Sequence, residues 1–392
     1  MSLSKKQTEQ QSLILETIYA KGPISRIDIA NVLHITPATV SELTGHMLEE
    51  KHIHELGEDD SGTKPGRKKI LLDISAGHSH FIGIELSEKF LALCLCDNTG
   101  AILEQNIFRY KEKEFREAYS LPRFLETVHT FLEKCQSYSP KAIGIALPGH
   151  YDSFEKKILT NNPFWQNFPL EDIIAALPLP VHCENNVKCM AIAERFFRKD
   201  RHDPNFIFLH VSRGMFCTYM YNGDIYAGTK QLIGEIGHTT VNPHGERCEC
   251  GKKGCLQTYA SETWLVKKAK FLYDESPQNF LRLLVNDKDA IDIDTLIKGY
   301  KLGDDISITL LNQAVDYLSI AINNLFMIID SEVVYLHGKI FSEPEIAELL
   351  IRKLDENASL LNLQHPQQRI FKPYDESNGA LGACGLCVAR TI

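Results

Sequence analysis

The sequence predicts a small helix-turn-helix head followed by a two-lobed α/β body. Three observations predict it. Short amphipathic helical patterns joined by tight turns fill the first fifty residues and lead into a strand–loop–strand pattern. From His80 onward, apolar strand runs alternate with helical patterns, and a similar order of elements returns from Asn205. At 392 residues the chain is too long for one ordinary core. We therefore expect a head over residues 1–75, a first lobe over 76–185 plus 370–392, and a second lobe over 186–369.

In the head, Leu13, Ile14, Ile18 and Tyr19 mark a first helix ending near Lys21-Gly22-Pro23. Ser25 is placed to cap a second helix carrying Ile27, Ile29, Ala30 and Leu33. After His34-Ile35, Thr36-Pro37 opens a third, with threonine as cap and proline at the first position. Val40, Leu43, Met47 and Leu48 share one face of this third helix. Its other face carries Ala38, Ser41, Glu42, Gly45 and His46, with Thr39 at the edge, and is small and polar enough to lie in a DNA groove. Strands over 52–56 and 70–74 flank a turn-rich loop and read as a wing, with Lys64, Arg67, Lys68 and Lys69 in and just after it, suited to phosphate contacts. Residues 1–70 hold nine Lys and Arg against ten Asp and Glu, so the case for DNA over a protein-interaction module rests on segregation of charge, basic at the wing and acidic elsewhere.

In the body, FIGIEL and FLALCLC read as buried strands, followed by the turn Asp97-Asn98-Thr99-Gly100. A strand AILEQNIFRY, a helix over about 121–138 and the strand KAIGIALPG follow. Later, NFIFLHVS and GMFCTYMY precede an Asn222-Gly223 hairpin turn. A long helix near 306–329 leads into the strand SEVVYLHG. Two such lobes would hold a ligand in the cleft between them.

The stretch from Gly234 to Gln257 is the densest in chemistry. His238, Cys248, Cys250 and Cys255 form a donor set suited to a closed, tetrahedral zinc that shapes the loop rather than catalyses. Gly251 and Gly254 permit the turn that returns Cys255 to the other two cysteines. Arg247, Lys252 and Lys253 would offset thiolate charge. A disulfide between Cys248 and Cys255 would leave Cys250 and His238 without a reason. Of the eleven cysteines, most of the others sit in apolar surroundings, and Cys384-x-x-Cys387 reads as a packed helix more than a redox pair.

The composition is that of a soluble globular chain, and the net charge of −9 argues against coating nucleic acid by bulk charge while allowing a local basic patch. With no secretory signal pattern and no membrane-length apolar run, the expected location is the cytoplasm.

GEIGH, the CECGKKGC loop and the triplet Glu184-Asn185-Asn186 resemble the ROK family (repressors, open reading frames and kinases), over about residues 76–392. The resemblance implies an actin-like, ribonuclease H-like two-lobed body, a sugar or sugar derivative in the cleft, and homodimers or homotetramers. A winged helix-turn-helix ahead of such a body resembles the family's repressors, such as those for xylose and N-acetylglucosamine. By the same resemblance Asn185, Asn186, Glu235, His238 and Gln257 would line the sugar site, with His238 serving both zinc and sugar. Gln257 departs from the family's usual glutamate. Trp165 could offer a stacking face, although a tryptophan in such a loop is more often a packing anchor. Without the resemblance, Glu184 to Asn186 would read as a capped strand end before a helix.

Family kinases resemble D-x-G-G-T at a first phosphate loop, where this chain has Glu85-Leu86-Ser87-Glu88. The second loop reads Ser212-Arg213-Gly214-Met215-Phe216, and the third glycine cluster reads His337-Gly338-Lys339. Asn186 stands where those kinases have aspartate, and an amide cannot accept a hydroxyl proton as a general base. The expected protein is thus not an enzyme but a sequence-specific regulator of a carbohydrate operon, probing a duplex DNA operator and controlled by a bound sugar. The alternatives are an active ROK sugar kinase with a fused DNA-binding head, or a regulator controlled by a protein partner.

Overall fold

The computed structural model describes residues 4–58, 69–198, 204–226, 233–275, 280–357 and 367–392. The chain divides into two units, Met1–Pro204 with Glu376–Ile392, and Asn205–Asp375. This division differs from the one expected, with its breaks near 75, 185 and 369, through the packing described below.

In the first unit, α1 (Lys5–Lys21) opens on a capping box in which Ser4 and Gln7 satisfy each other's backbone N–H groups. β1 (Ile24–Ser25) leads into α2 (Arg26–Leu33), and His34, in the left-handed region at φ 54°, turns the chain toward α3 (Pro37–Glu49). The Ser25 hydroxyl accepts from Asp28 N–H and the Thr36 hydroxyl from Thr39 N–H, with Pro37 at the first helical position. β2 (Ile53–Glu58) and β3 (Ile70–Ile74) pair antiparallel, and β1 adds to the far edge of β3. Ile14, Ile18, Ile29, Val40, Leu43 and Met47 are fully buried beneath these elements. This core continues into Phe81, Phe90, Ala92 and Phe196, which is why residues 1–75 are not a separate unit.

β4 (His80–Leu86), β5 (Phe90–Asp97) and β6 (Ile102–Arg109) form an antiparallel meander. After α4 (Glu112–Ala118) and α5 (Leu121–Lys134), β7 (Ile143–Leu147) joins β4 in parallel. A hairpin of β8 (His150–Asp152) and β9 (Lys157–Leu159), then α6 (Pro163–Gln166) and α7 (Leu170–Ala176), lead to β10 (Val181–Asn185) and α8 (Asn186–Phe197). The strand order is β10-β7-β4-β5-β6. β4, β5 and β7 are buried along nearly their whole length, which explains their continuous apolar runs. Trp165 is buried edge-on against Phe115, Tyr119, Phe164 and Phe168, so it anchors packing and offers no open stacking face.

The second unit repeats the plan. β11 (Phe206–Val211), β12 (Met215–Tyr221) and β13 (Asp224–Ile225) form the meander, with Asn222 and Gly223 at φ 51° and 82° in the hairpin turn. α9 (Gln257–Ala260), α10 (Glu262–Glu275), α11 (Leu281–Leu284), α12 (Ile293–Lys301) and α13 (Asp305–Phe326) follow the cysteine-rich loop. β14 (Val333–His337) joins β11 in parallel, and after α14 (Pro344–Asn357) β15 (Gln368–Lys372) joins β14, giving the order β13-β12-β11-β14-β15. The pairing of Leu336 with Phe371 holds residues 370–372 in this unit, not in the first lobe.

The final helix, α15 (Asn378–Thr391), belongs to the first unit and lies along α8. A Cβ at Gly382 would meet the Cys189 carbonyl carbon at 2.8 Å, and one at Gly385 would meet Ala193 Cα at 2.8 Å, so only glycine permits this approach. That contact draws α8 into the first unit, correcting its expected place in the second. Cys384 and Cys387 are buried on α15, with Cys384 Sγ 3.6 Å from Cys94 Sγ, and burial pushes the Cys387 thiol up. Among the described residues no helix is long and apolar enough to cross a membrane.

Candidate functional site

The loop between β13 and α9 is folded back on itself by backbone contacts. Cys248 N–H donates to Lys252 O at 2.8 Å, and Gly251 N–H to Cys248 O at 2.9 Å. Gly251 and Gly254 adopt φ of +89° and +66°. At Gly254 a Cβ would fall 1.5 Å from the Asn242 carbonyl oxygen, so the returning strand has no room for one. Thr240 bridges Cys255, which carries the third cysteine back beside His238.

One donor atom each from His238, Cys248, Cys250 and Cys255 lies within 4.8 Å of all the others. Cys248 Sγ stands 3.6 Å from His238 Nδ1, and Cys250 Sγ 3.6 Å from Cys255 Sγ. Thiolates held at ~2.3 Å around one tetrahedral ion would stand ~3.7 Å apart. The four residues could hold a metal ion, and three soft sulfurs with one imidazole fit zinc by donor chemistry. Their surroundings are those of a supported site. Lys252 Nζ donates to the His238 carbonyl at 2.7 Å, and Gln257 Nε2 approaches Cys248 Sγ at 3.3 Å. Gln257, expected to touch sugar, thus has its amide engaged by the cysteine cluster. Glu235, half-buried, precedes the 3-10 turn Ile236–His238.

The other expected sugar residues lie in the first unit. Asn185 is 5 % exposed and its side chain is already employed. Its oxygen caps α8 by accepting from Val187 and Lys188 N–H, and its amide donates to Gly149 O at 3.2 Å. The capped-strand-end reading describes this residue. Asn186 instead directs its amide to Glu85 Oε1, at 3.5 Å. Glu85 is 6 % exposed, and burial raises its carboxyl from the ordinary 4.5 to about 7, with the Asn186 amide and the Gly379 N–H at the start of α15 opposing that rise. A Cβ on Gly379 would fall 2.1 Å from the Glu85 carboxyl carbon. This carboxyl–amide pair was not legible as a contact, because its members are 101 residues apart.

At the three positions compared with kinase phosphate loops, Glu88 takes a hydrogen bond from Asn162, and Ser212 N–H closes a tight turn onto Gly214 O at 3.0 Å. His337, next to Gly338, stacks on His210 with Nδ1 atoms 2.8 Å apart, and burial drives His210 toward its neutral form.

On α3, Ala38, Ser41 and Glu42 are exposed while Thr39, Gly45 and His46 are half-buried, and a Cβ on Gly45 would meet nothing within 4 Å. Glu42 accepts from Gln7 Nε2 at 3.1 Å. Arg26 is paired with Glu55 at 2.9 Å and Lys69 with Asp28 at 2.8 Å. The expected wing cations Lys64, Arg67 and Lys68 lie outside the described residues.

The ROK family model matches residues 81–390. The xylose repressor of Caldicellulosiruptor bescii is 28% identical over 352 residues, spanning 88% of this chain and 86% of its own. Among solved structures, a ROK family transcriptional regulator described as a homolog of the E. coli MLC protein aligns with TM-score 0.76 at 22% identity, over 98% of this chain and 96% of its own. A ROK family glucokinase from Streptomyces griseus, in complex with glucose and AMPPNP, aligns with TM-score 0.66 at 22% identity, over 79% of this chain and 99% of its own.

Proposed function

The chain belongs to the ROK family, and from that premise we propose that it is a sequence-specific, DNA-binding repressor of a carbohydrate-utilisation operon, controlled by a bound sugar or sugar derivative. The observation that carries this reading is the head. A two-helix turn with an open, small and polar α3 face, backed by a three-stranded sheet, precedes the ROK body in the same chain. The similarity to a xylose repressor over 88% of the chain supports it, whereas the glucokinase likeness covers 79%. Operator contacts fall to Ala38, Thr39, Ser41, Glu42, Gly45 and His46, with Lys64, Arg67 and Lys68 on phosphates. A cytoplasmic homodimer or homotetramer would present paired heads to a palindromic site.

Zinc is the proposed occupant of His238, Cys248, Cys250 and Cys255, where it would supply a closed structural cross-link and no open ligand position. Asn186, Glu235 and His238 are the proposed sugar contacts. The His238 Nδ1 side is turned toward Cys248, and Nε2 is the atom proposed to meet the sugar. Asn185 and Gln257 are proposed as further sugar contacts, Asn185 also capping α8 and Gln257 also bonding the Cys248 sulfur.

Phosphoryl transfer is not part of the proposal. The Asn186 carboxamide has no basic lone pair for a sugar hydroxyl, and its neighbour Glu85 puts a carboxyl in the first phosphate-loop position. The test is operator affinity of the full chain with and without a panel of pentoses, hexoses and N-acetylamino sugars, beside an ATP-coupled assay on the same sugars. Sugar-dependent ATP turnover would overturn the repressor reading in favour of a kinase with a fused head.

A further inference from the structure

α8 runs from the proposed sugar contact to the DNA-binding head. Its first residue is Asn186, and its last turn carries Arg195, Phe196 and Phe197. Arg195 Nη2 lies 3.2 Å from Glu16 Oε2 on α1, and its guanidinium stacks over the Phe196 ring at 4.9 Å. Phe196 meets Tyr19 of α1 edge-on, with centroids 5.3 Å apart at 75°. The Tyr19 hydroxyl donates to Asn98 O at 3.1 Å and accepts from Asn98 Nδ2 at 3.3 Å.

Asn98 also holds the segment that leaves the head, donating to Ser75 O at 2.9 Å and accepting from His78 N–H at 3.1 Å. The same turn touches α8, since a Cβ on Gly100 would fall 2.4 Å from the Phe197 ring. One helix end, the first head helix and the head's exit segment therefore meet at a single turn. Asn186 and Phe196 stand about 15 Å apart along the helix at 1.5 Å per residue. Along α15, Gly382 and Gly385 let α8 approach at Cys189 and Ala193, and Leu386 packs with Cys189 beside them, so α8 is a closely supported, rigid element between its two ends.

We propose that α8 is the strut by which the state of its Asn186 end reaches the DNA-binding head, with Arg195 and Phe196 as positioning residues read by Glu16 and Tyr19. Displacement of the Asn186–Glu85 contact shifts α8, and the shift is delivered to α1 and to the exit segment held by Asn98. This deepens the proposed function, and rests on it for the identity of Asn186 as a ligand contact.

The test uses the full chain and hydrogen exchange of the α1 amides. Asn186→Asp sets a second carboxylate against Glu85 and perturbs that end without any ligand, and Glu85→Gln is the parallel perturbation should the first not fold. The strut predicts a change of about fivefold or more in α1 exchange, abolished when Arg195→Ala is added and retained with Arg195→Lys, which keeps the pair to Glu16. An α1 that ignores both perturbations, or responds equally without Arg195, overturns the proposal. In a second arm, D-xylose and N-acetylglucosamine are titrated with and without operator DNA selected from a random pool. Arg195→Ala is expected to keep sugar affinity by calorimetry and lose the sugar's effect on DNA. If neither sugar binds the parent chain, the reading of Asn186 as a sugar contact loses support, while the exchange arm still decides the strut.

Discussion

Glu85→Gln should make the protein more stable, and only above acid pH. The Glu85 carboxyl is buried and its ionisation is raised from 4.5 to about 7 by that burial. At ~1.4 kcal/mol per pH unit, the ionised form costs the fold about 3 kcal/mol. Between 4.5 and 7 the folded chain keeps a proton that the unfolded chain has released, so stability falls as pH rises through that window. Below it both states are protonated and the cost is absent, and above it the cost is constant. Glutamine keeps an oxygen for the Gly379 N–H and removes the charge. Urea unfolding at pH 8 should move to a higher midpoint by roughly 1 M, with a much smaller difference near pH 5. An equal difference at both pH values, or a less stable variant at pH 8, would refute the burial of a titrating carboxyl beside Asn186.

The metal loop makes two further expectations. Gly254→Ala, with its Cβ 1.5 Å from the Asn242 oxygen at φ +66°, should stop the loop closing and cut zinc well below the expected ~1 per chain, as read by metal analysis. Cys250→Ser should lower zinc content and weaken the response to sugar together, and an undiminished response without zinc would break that link. In the head, replacing both Arg67 and Lys68 with alanine should weaken DNA binding at all sequences and reduce the salt slope by about 2, measured by anisotropy across a salt series. Unchanged affinity would remove these residues from the DNA contact.

Local chemistry made parts of the fold legible. Ser25, Thr36 and Pro37 announce helix starts through their own side chains, and the structure uses them so. The cysteine cluster was legible because its donors lie close in sequence and the glycines between them allow the return. What escaped was carried by distant contacts. α8 has an apolar pattern that would serve either lobe, and its partner α15 follows it after some 180 residues. Tyr19 read as one face of a helix, while its partner Asn98 lies 79 residues on in what looked like an ordinary turn. Asn185 was legible as a polar cap between strand and helix, and the structure uses it so, whereas the bond from Gln257 to the Cys248 sulfur was not, because it depends on how the loop folds back.

A DNA-binding chain that answers to sugar must couple its operator to its ligand. The decisive measurement is the affinity of the 392-residue chain, supplied with zinc, for its selected operator while each sugar of the panel is titrated. Salt-dependent, sequence-specific binding is expected, which one sugar changes about fivefold or more, with the operator changing that sugar's affinity by the same factor. Absence of sequence-specific binding, or an operator affinity that no sugar moves, would contradict it.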